Sequence, residues 1–68
     1  MNDEAFQKSI RKLLKTVGVT TQQEIEKAVQ LALEEGRLKG DEALPASVRV
    51  QITALDLNLT FEEDITLE

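Results

Sequence analysis

The spacing of the large apolar residues changes once along this chain, and this change restricts the fold more than any other feature. Up to Gly36 they recur every three or four positions, which is the spacing of an amphipathic helix. From Val48 onward they alternate with polar residues, which is the spacing of a strand with one covered face. The sequence therefore predicts a single α+β domain over residues 1–68, with helices packed on one face of a small antiparallel sheet.

The helical part has two apolar stripes, and we interpret them as two helices at about 3–17 and 21–36. Asn2 or Asp3 is the expected N-cap of the first helix, and Gly18 is the expected left-handed residue that ends it. Gly36 is the expected end of the second helix. The stripes consist of Phe6, Ile10, Leu13, Leu14 and Val17 in the first helix, and of Ile25, Ala28, Val29 and Ala32 in the second.

The start of the second helix is predicted from capping chemistry. Two overlapping capping boxes occur, Thr20 with Gln23 and Thr21 with Glu24. Leu31 does not fit the second stripe, because it sits about 120° from the centre of the stripe at about 100° of rotation per residue. It therefore needs another packing partner or lies exposed.

The last third is predicted to form two or three strands, at about 47–53, 56–61 and 65–67. The alternation slips by one residue between Ile52 and Leu55, which would move later apolar residues to the other face of a continuous strand. Two alternatives remain, a tight turn over 53–56 or one long strand with a bulge near Ala54. We favour the turn. The acids at 62–64 predict a second, solvated turn rather than a metal site.

Missing residue types restrict the chemistry. The chain has no Cys and no His, so thiol nucleophiles, imidazole bases and the common soft-metal ligands are absent. Its three glycines are isolated, so no phosphate-binding loop is present. We therefore expect no enzyme activity, no cofactor, no metal and no catalytic residue.

Charge is distributed unevenly in a chain whose net charge is -5. Residues 1–20 carry four cations against two acids, and residues 21–36 carry one cation against four acids. The four cations form a candidate basic patch: Lys8, Arg11, Lys12 and Lys15. They support an alternative function, a nucleic-acid-binding helix-turn-helix-like domain, although the overall acidity makes nucleic acid the less favoured partner.

A chain of 68 residues closes a core only marginally, so partner surfaces are expected. The candidate interaction surface consists of Leu31, Leu55, Leu57 and Leu59, where apolar side chains and unpaired strand edges remain. A monomer and a C2 homodimer are both compatible with the pattern, and we favour the dimer slightly. The expected function is a small non-enzymatic protein–protein interaction module whose partner the sequence does not identify.

No apolar stretch reaches the length of a membrane span, and the N-terminus lacks the pattern of a signal peptide. A cytoplasmic location without membrane contact is the expectation.

Several short runs resemble a family of short bacterial proteins of unknown function, with helices before a C-terminal β-hairpin. These runs are residues 9–12 (SIRK), 15–20 (KTVGVT), 24–29 (EIEKAV) and 36–40 (GRLKG). The resemblance implies a bacterial cytosolic protein, and it carries no activity, ligand or site residue.

Overall fold

The computed structural model describes all residues, 1–68, and divides them into two compact units, Met1–Arg37 and Leu38–Glu68. The first unit is one α-helix, α1, over Asp3–Glu34. The second is an antiparallel hairpin of β1, Ala43–Ile52, and β2, Leu57–Thr66, joined through a 3-10 turn at Thr53–Leu55. The α+β class and the order of helix before sheet are confirmed.

The prediction of two helices is wrong, because α1 continues without a break through residues 18–21. Gly18 lies inside the helix, and neither capping box starts a new one. A helical Gly costs only about 1 kcal/mol relative to Ala, and no proline interrupts the backbone hydrogen bonds. Thr16 is satisfied within the helix, since its hydroxyl donates to the carbonyl oxygen of Lys12 at 2.9 Å.

The two ends of α1 follow the predicted capping chemistry. The Asn2 side chain accepts a hydrogen bond from the Ala5 N–H at 3.1 Å, as expected of an N-cap. At the other end Gly36 has φ +76°, its N–H donates to the Leu33 carbonyl, and the Arg37 N–H donates to the Ala32 carbonyl. These two bonds form a Schellman motif, for which Gly is favoured because it has no Cβ.

One continuous helix explains the position of Leu31. Three pairs of apolar residues are separated by 18 positions, which is five turns at about 3.6 residues per turn. The pairs are Ile10 with Ala28, Leu13 with Leu31, and Leu14 with Ala32. Leu31 therefore stands above Leu13 on the same face, and it is off the stripe only if the helix is cut at Gly18.

The predicted turn over 53–56 is confirmed, and the alternative of a bulged single strand is wrong. The Asp56 N–H donates to the Thr53 carbonyl at 3.1 Å, and Asp56 is left-handed with φ 50°. The four connecting residues restore the phase, because Ile52 pairs with Leu57 and Val50 with Leu59. Both apolar sets therefore lie on one face of the hairpin.

The predicted second turn at 62–64 and the separate third strand at 65–67 are wrong. β2 runs through the acids to Thr66, and β1 begins at Ala43 rather than at 47. Ile65 keeps the phase of Phe61 four residues earlier, so the strand period continues beneath the charges. Pro45 lies within β1 opposite Asp64, which a two-stranded sheet tolerates because both of its strands are edge strands.

Candidate functional site

The main candidate site is the apolar face of α1, which we call the helix stripe. At about 100° per residue its members occupy a sector of about 120° along the whole helix. They are Phe6, Ile10, Leu13, Leu14, Val17, Ile25, Ala28, Leu31 and Ala32. From Phe6 to Ala32, at about 1.5 Å per residue, the stripe is about 39 Å long.

The helix stripe is exposed along nearly its whole length. Ala32 is the one buried residue of the chain, with 7% of its surface accessible. Leu13 is 54% exposed and Leu31 is 51% exposed, so both halves of the stripe carry large exposed side chains. Such a face is what an amphipathic helix presents to a core or to a partner.

Two polar residues interrupt the stripe near its centre. Thr21 and Glu24 fall within the same sector, between Val17 and Ile25. The Glu24 carboxylate forms an exposed ion pair with Lys27 at 3.7 Å, one helical turn away. An exposed pair of this kind contributes little to stability, so the stripe reads as two apolar halves around a polar centre.

The predicted interaction surface is divided between the two units. Leu31 belongs to the helix stripe, whereas the other three residues belong to the hairpin. Leu57 and Leu59 lie on the apolar hairpin face with their cross-strand neighbours, and Leu55 lies in the turn, 69% exposed. The predicted interaction surface left out the larger part of the helix stripe, because those residues were expected to pack on the sheet.

The apolar hairpin face is the second uncovered surface. Its members are Leu44, Ala46, Val48, Val50, Ile52, Leu57, Leu59, Phe61 and Ile65, with the single charge of Glu63 among them opposite Ala46. Val48 and Phe61, which pair across the strands, are both exposed. A two-stranded hairpin alone is only marginally stable, so this face also needs a cover.

The candidate basic patch lies on the side of α1 away from the helix stripe. Lys8, Arg11 and Lys15 follow one another at spacings of three and four, and Lys12 lies beside them, all within a sector of about 100°. None of the four forms a salt bridge with a carboxylate. Because α1 has no turn near residue 18, the helix-turn-helix form of the nucleic-acid alternative is wrong.

Glu42 organises the loop that follows the helix unit. Its carboxylate accepts hydrogen bonds from the backbone N–H groups of Lys39 at 2.9 Å, Gly40 at 2.9 Å and Asp41 at 3.2 Å. These donors, those of Lys39 and Gly40 foremost, hold the pKa of Glu42 below its usual range because they stabilise the ionised form. The Glu42 carbonyl also accepts from the Leu67 N–H at 3.0 Å, so this residue closes the open end of the hairpin.

The acids at 62–64 do not converge. Successive residues of a strand point to opposite faces, so Glu62 and Asp64 lie on one face and Glu63 on the other. No cluster of three or more carboxylates suited to a metal ion occurs in the structure.

The fold and these surfaces define a small α+β protein built from one amphipathic helix and one β-hairpin. None of its helices combines the length and the apolar character needed to cross a membrane. The chain belongs to a family described as "Family of unknown function (DUF6494)", whose model matches residues 1–68. No curated protein and no solved structure matches it.

Proposed function

We propose that this protein is a non-enzymatic protein–protein interaction module whose contact surface is the helix stripe. The observation that carries the proposal is the exposure of large apolar side chains on both sides of a polar centre, along one face of a 32-residue helix. A strip about 39 Å long and about 11 Å wide covers roughly 430 Å². That area lies within the range of the largest apolar patches on monomers, about 300–600 Å², which are often functional.

The distribution of side chains around α1 supports the same proposal. The helix stripe holds most of the large apolar residues, and the basic patch and several glutamates lie elsewhere around the helix. Binding through an amphipathic helix uses anchors at spacings of three, four and seven residues, and Phe6, Ile10, Leu13 and Val17 have such spacings.

The experiment uses a photo-crosslinking side chain at one of two positions in the native host. Val17 lies in the stripe and is 45% exposed, whereas Val19 lies on the opposite side and is 49% exposed. The two sites match in residue type, exposure and place along the helix. We expect a crosslinked protein adduct from position 17 and none from position 19.

Mass spectrometry of the adducts decides the outcome. An intermolecular adduct specific to position 17 supports the module. A crosslink from position 17 to the hairpin of the same chain, or no adduct at all, contradicts the proposal, since the stripe would then be covered internally or not at all.

A further inference from the structure

The hydrogen-bond phase of the hairpin determines which backbone groups point away from the ladder. The Leu67 N–H donates to the carbonyl oxygen of Glu42, which the register places opposite it, so these two residues form a hydrogen-bonded pair. Hydrogen-bonded and non-hydrogen-bonded pairs alternate along an antiparallel ladder. The pair of Ala43 with Thr66, and every second pair after it, is therefore non-hydrogen-bonded, and the N–H and C=O groups of these residues point outward.

The outer edge of β1 is interrupted by a proline. Pro45 belongs to one of the non-hydrogen-bonded pairs, since it lies opposite Asp64 two pairs beyond the first. The edge therefore lacks an outward N–H at this position, whereas the ladder to β2 loses nothing. The uninterrupted part of this edge holds three outward residues, which are Ser47, Arg49 and Gln51.

The outer edge of β2 is continuous along the whole strand. Eight of the ten residues of β2 are exposed, and no backbone hydrogen bond other than those to β1 involves the strand. At about 3.4 Å per residue this edge is about 27 Å long. A row of unpaired backbone groups of this kind is a template for another strand. The outward residues are Asn58, Thr60, Glu62, Asp64 and Thr66.

The side chains along this edge are acidic. β2 carries Glu62, Glu63 and Asp64 and no basic residue, and none of the three carboxylates forms a salt bridge. Pairing of β2 with a second copy over its whole length would bring the acids of both copies close together, and like charges on neighbouring strands are destabilising. A strand that carries basic residues removes this repulsion and replaces it with cross-strand ion pairs.

A strand that completes this edge must also match the two faces of the hairpin. Glu62 and Asp64 lie on the polar face, so basic residues two positions apart suit that face. Phe61 and Ile65 lie on the apolar face, so apolar residues suit the alternate positions. An open depression of about 580 Å³ in the same part of the hairpin leaves room for long basic side chains, and it is lined by residues 45–47 and 62–64.

We infer that the outer edge of β2 binds an extended, basic segment of another protein as a third strand of the sheet. Backbone hydrogen bonds supply affinity in strand addition, and side chains at alternate positions supply specificity. A third strand also extends the apolar face of a hairpin that is only marginally stable with two strands. The site belongs to the hairpin unit and not to the helix stripe, so it goes beyond the proposed function.

Titration of the isotopically labelled full chain with two synthetic peptides of the length of β2 tests the site. One peptide alternates lysine with valine, and its control alternates glutamate with valine. By NMR, the lysine peptide should shift the outward amide protons of β2 and slow their exchange, those of Thr60, Glu62 and Asp64 foremost. The glutamate peptide should leave them unchanged. Shifts confined to β1 or α1, equal binding of both peptides, or no binding overturns the inference.

Proline substitutions separate strand addition from attraction by charge alone. Thr60→Pro removes an outward N–H of β2 and leaves the ladder intact, as Pro45 does in β1. Ser47→Pro makes the same change on the edge of β1. Loss of one backbone hydrogen bond should weaken binding of the lysine peptide about fivefold to tenfold in Thr60→Pro, and Ser47→Pro should bind like the wild type. Equal affinities in the two variants overturn strand addition.

Neutral substitutions test the charge without any change to the backbone. Glu62→Gln combined with Asp64→Asn should weaken binding of the lysine peptide and reduce its dependence on salt. Glu26→Gln combined with Glu34→Gln changes the net charge equally within α1 and should leave the affinity unchanged. Equal loss in both double variants would show that net charge alone attracts the peptide and would overturn the site. Photo-crosslinking at position 17 tests the helix stripe separately, so either result can fail without the other.

Discussion

The helix and the hairpin differ in how far apart along the chain their hydrogen-bonded residues are. This difference determines how well each could be predicted from local sequence patterns. Each backbone hydrogen bond within α1 joins residues four apart in the sequence. The helix therefore continues through Gly18 if the hydrogen bonds formed there outweigh the low helix propensity of glycine. The hairpin joins residues as distant as Ala43 and Thr66. The turn sets the register of the two strands. Because successive side chains of a strand point to opposite faces, the register then determines which face each side chain occupies.

The strongest way to break this comparison is a proline in the middle of α1. Thr21→Pro should cost about 3 kcal/mol or more, because the ring removes a hydrogen bond and clashes with the preceding turn. If residue 21 were instead the first residue of a second helix, proline would be well tolerated there. Circular dichroism and urea unfolding measure the effect, with Thr21→Ala as the control. Unchanged helicity in Thr21→Pro would contradict a continuous α1.

A charge on the apolar hairpin face should have the next largest effect. Leu57 is half-buried and pairs with Ile52, so Leu57→Asp should destabilise the hairpin by about 1–2 kcal/mol. Asn58→Asp introduces the same charge one residue later, on the polar face, and should change little. Amide hydrogen exchange across residues 43–66 measures the protection of the hairpin hydrogen bonds directly. Equal loss of protection in both variants would show that the register is not the one described.

Replacing Gly18 or Gly36 by alanine should change the stability of the chain in opposite directions. Gly18→Ala should stabilise the chain by about 1 kcal/mol, because residue 18 is helical and an added Cβ meets nothing within 4 Å. Gly36→Ala should destabilise it by a similar amount, since φ is +76° there. Thermal unfolding of the two variants provides the test. Destabilisation by Gly18→Ala would favour a helix end at residue 18.

The smallest effect concerns the loop held by Glu42. The folded-state pKa of Glu42 is lowered, so its stabilising contribution is present above the unfolded-state pKa and is lost as pH falls through the usual glutamate range of about 4–5 and below. NMR shifts of the Lys39 and Gly40 amide protons should follow this titration. In Glu42→Gln they should be independent of pH over that range, and a persisting titration would assign it to another group.

The ends of the helix and the turn of the hairpin could be predicted from the sequence more reliably than the continuity of the helix and of the second strand. The N-cap at Asn2, the C-terminal Gly36 and the turn at 53–56 were predictable because each depends on a few adjacent residues. The continuity of α1 was also encoded, in the apolar residues that recur 18 positions apart, yet the capping signals at Thr20 and Thr21 competed with it locally. The three consecutive acids at 62–64 likewise favoured a turn locally, although the apolar alternation of the strand continues to Ile65.

The candidate site was predicted only in part. Leu31 and Leu59 of the predicted interaction surface are exposed in the structure. Phe6, Leu13 and Val17 were expected instead to pack on the sheet. All three are exposed in the structure. Amphipathic spacing identifies an apolar face, but it does not specify what covers that face.

The sequence by itself determined the class of fold, the order of elements, the absence of thiol and imidazole chemistry, and the parity of both strands, because each of these depends on residue type and spacing alone. Only the three-dimensional structure decided whether residues 18–21 turn or continue. At that point a helical Gly and an N-cap residue each change the free energy by about 1 kcal/mol, so the balance depends on the whole helix rather than on any single residue. Because the helix continues through residues 18–21, Leu31 and Leu13 lie on the same face, and the two short stripes form one long exposed face.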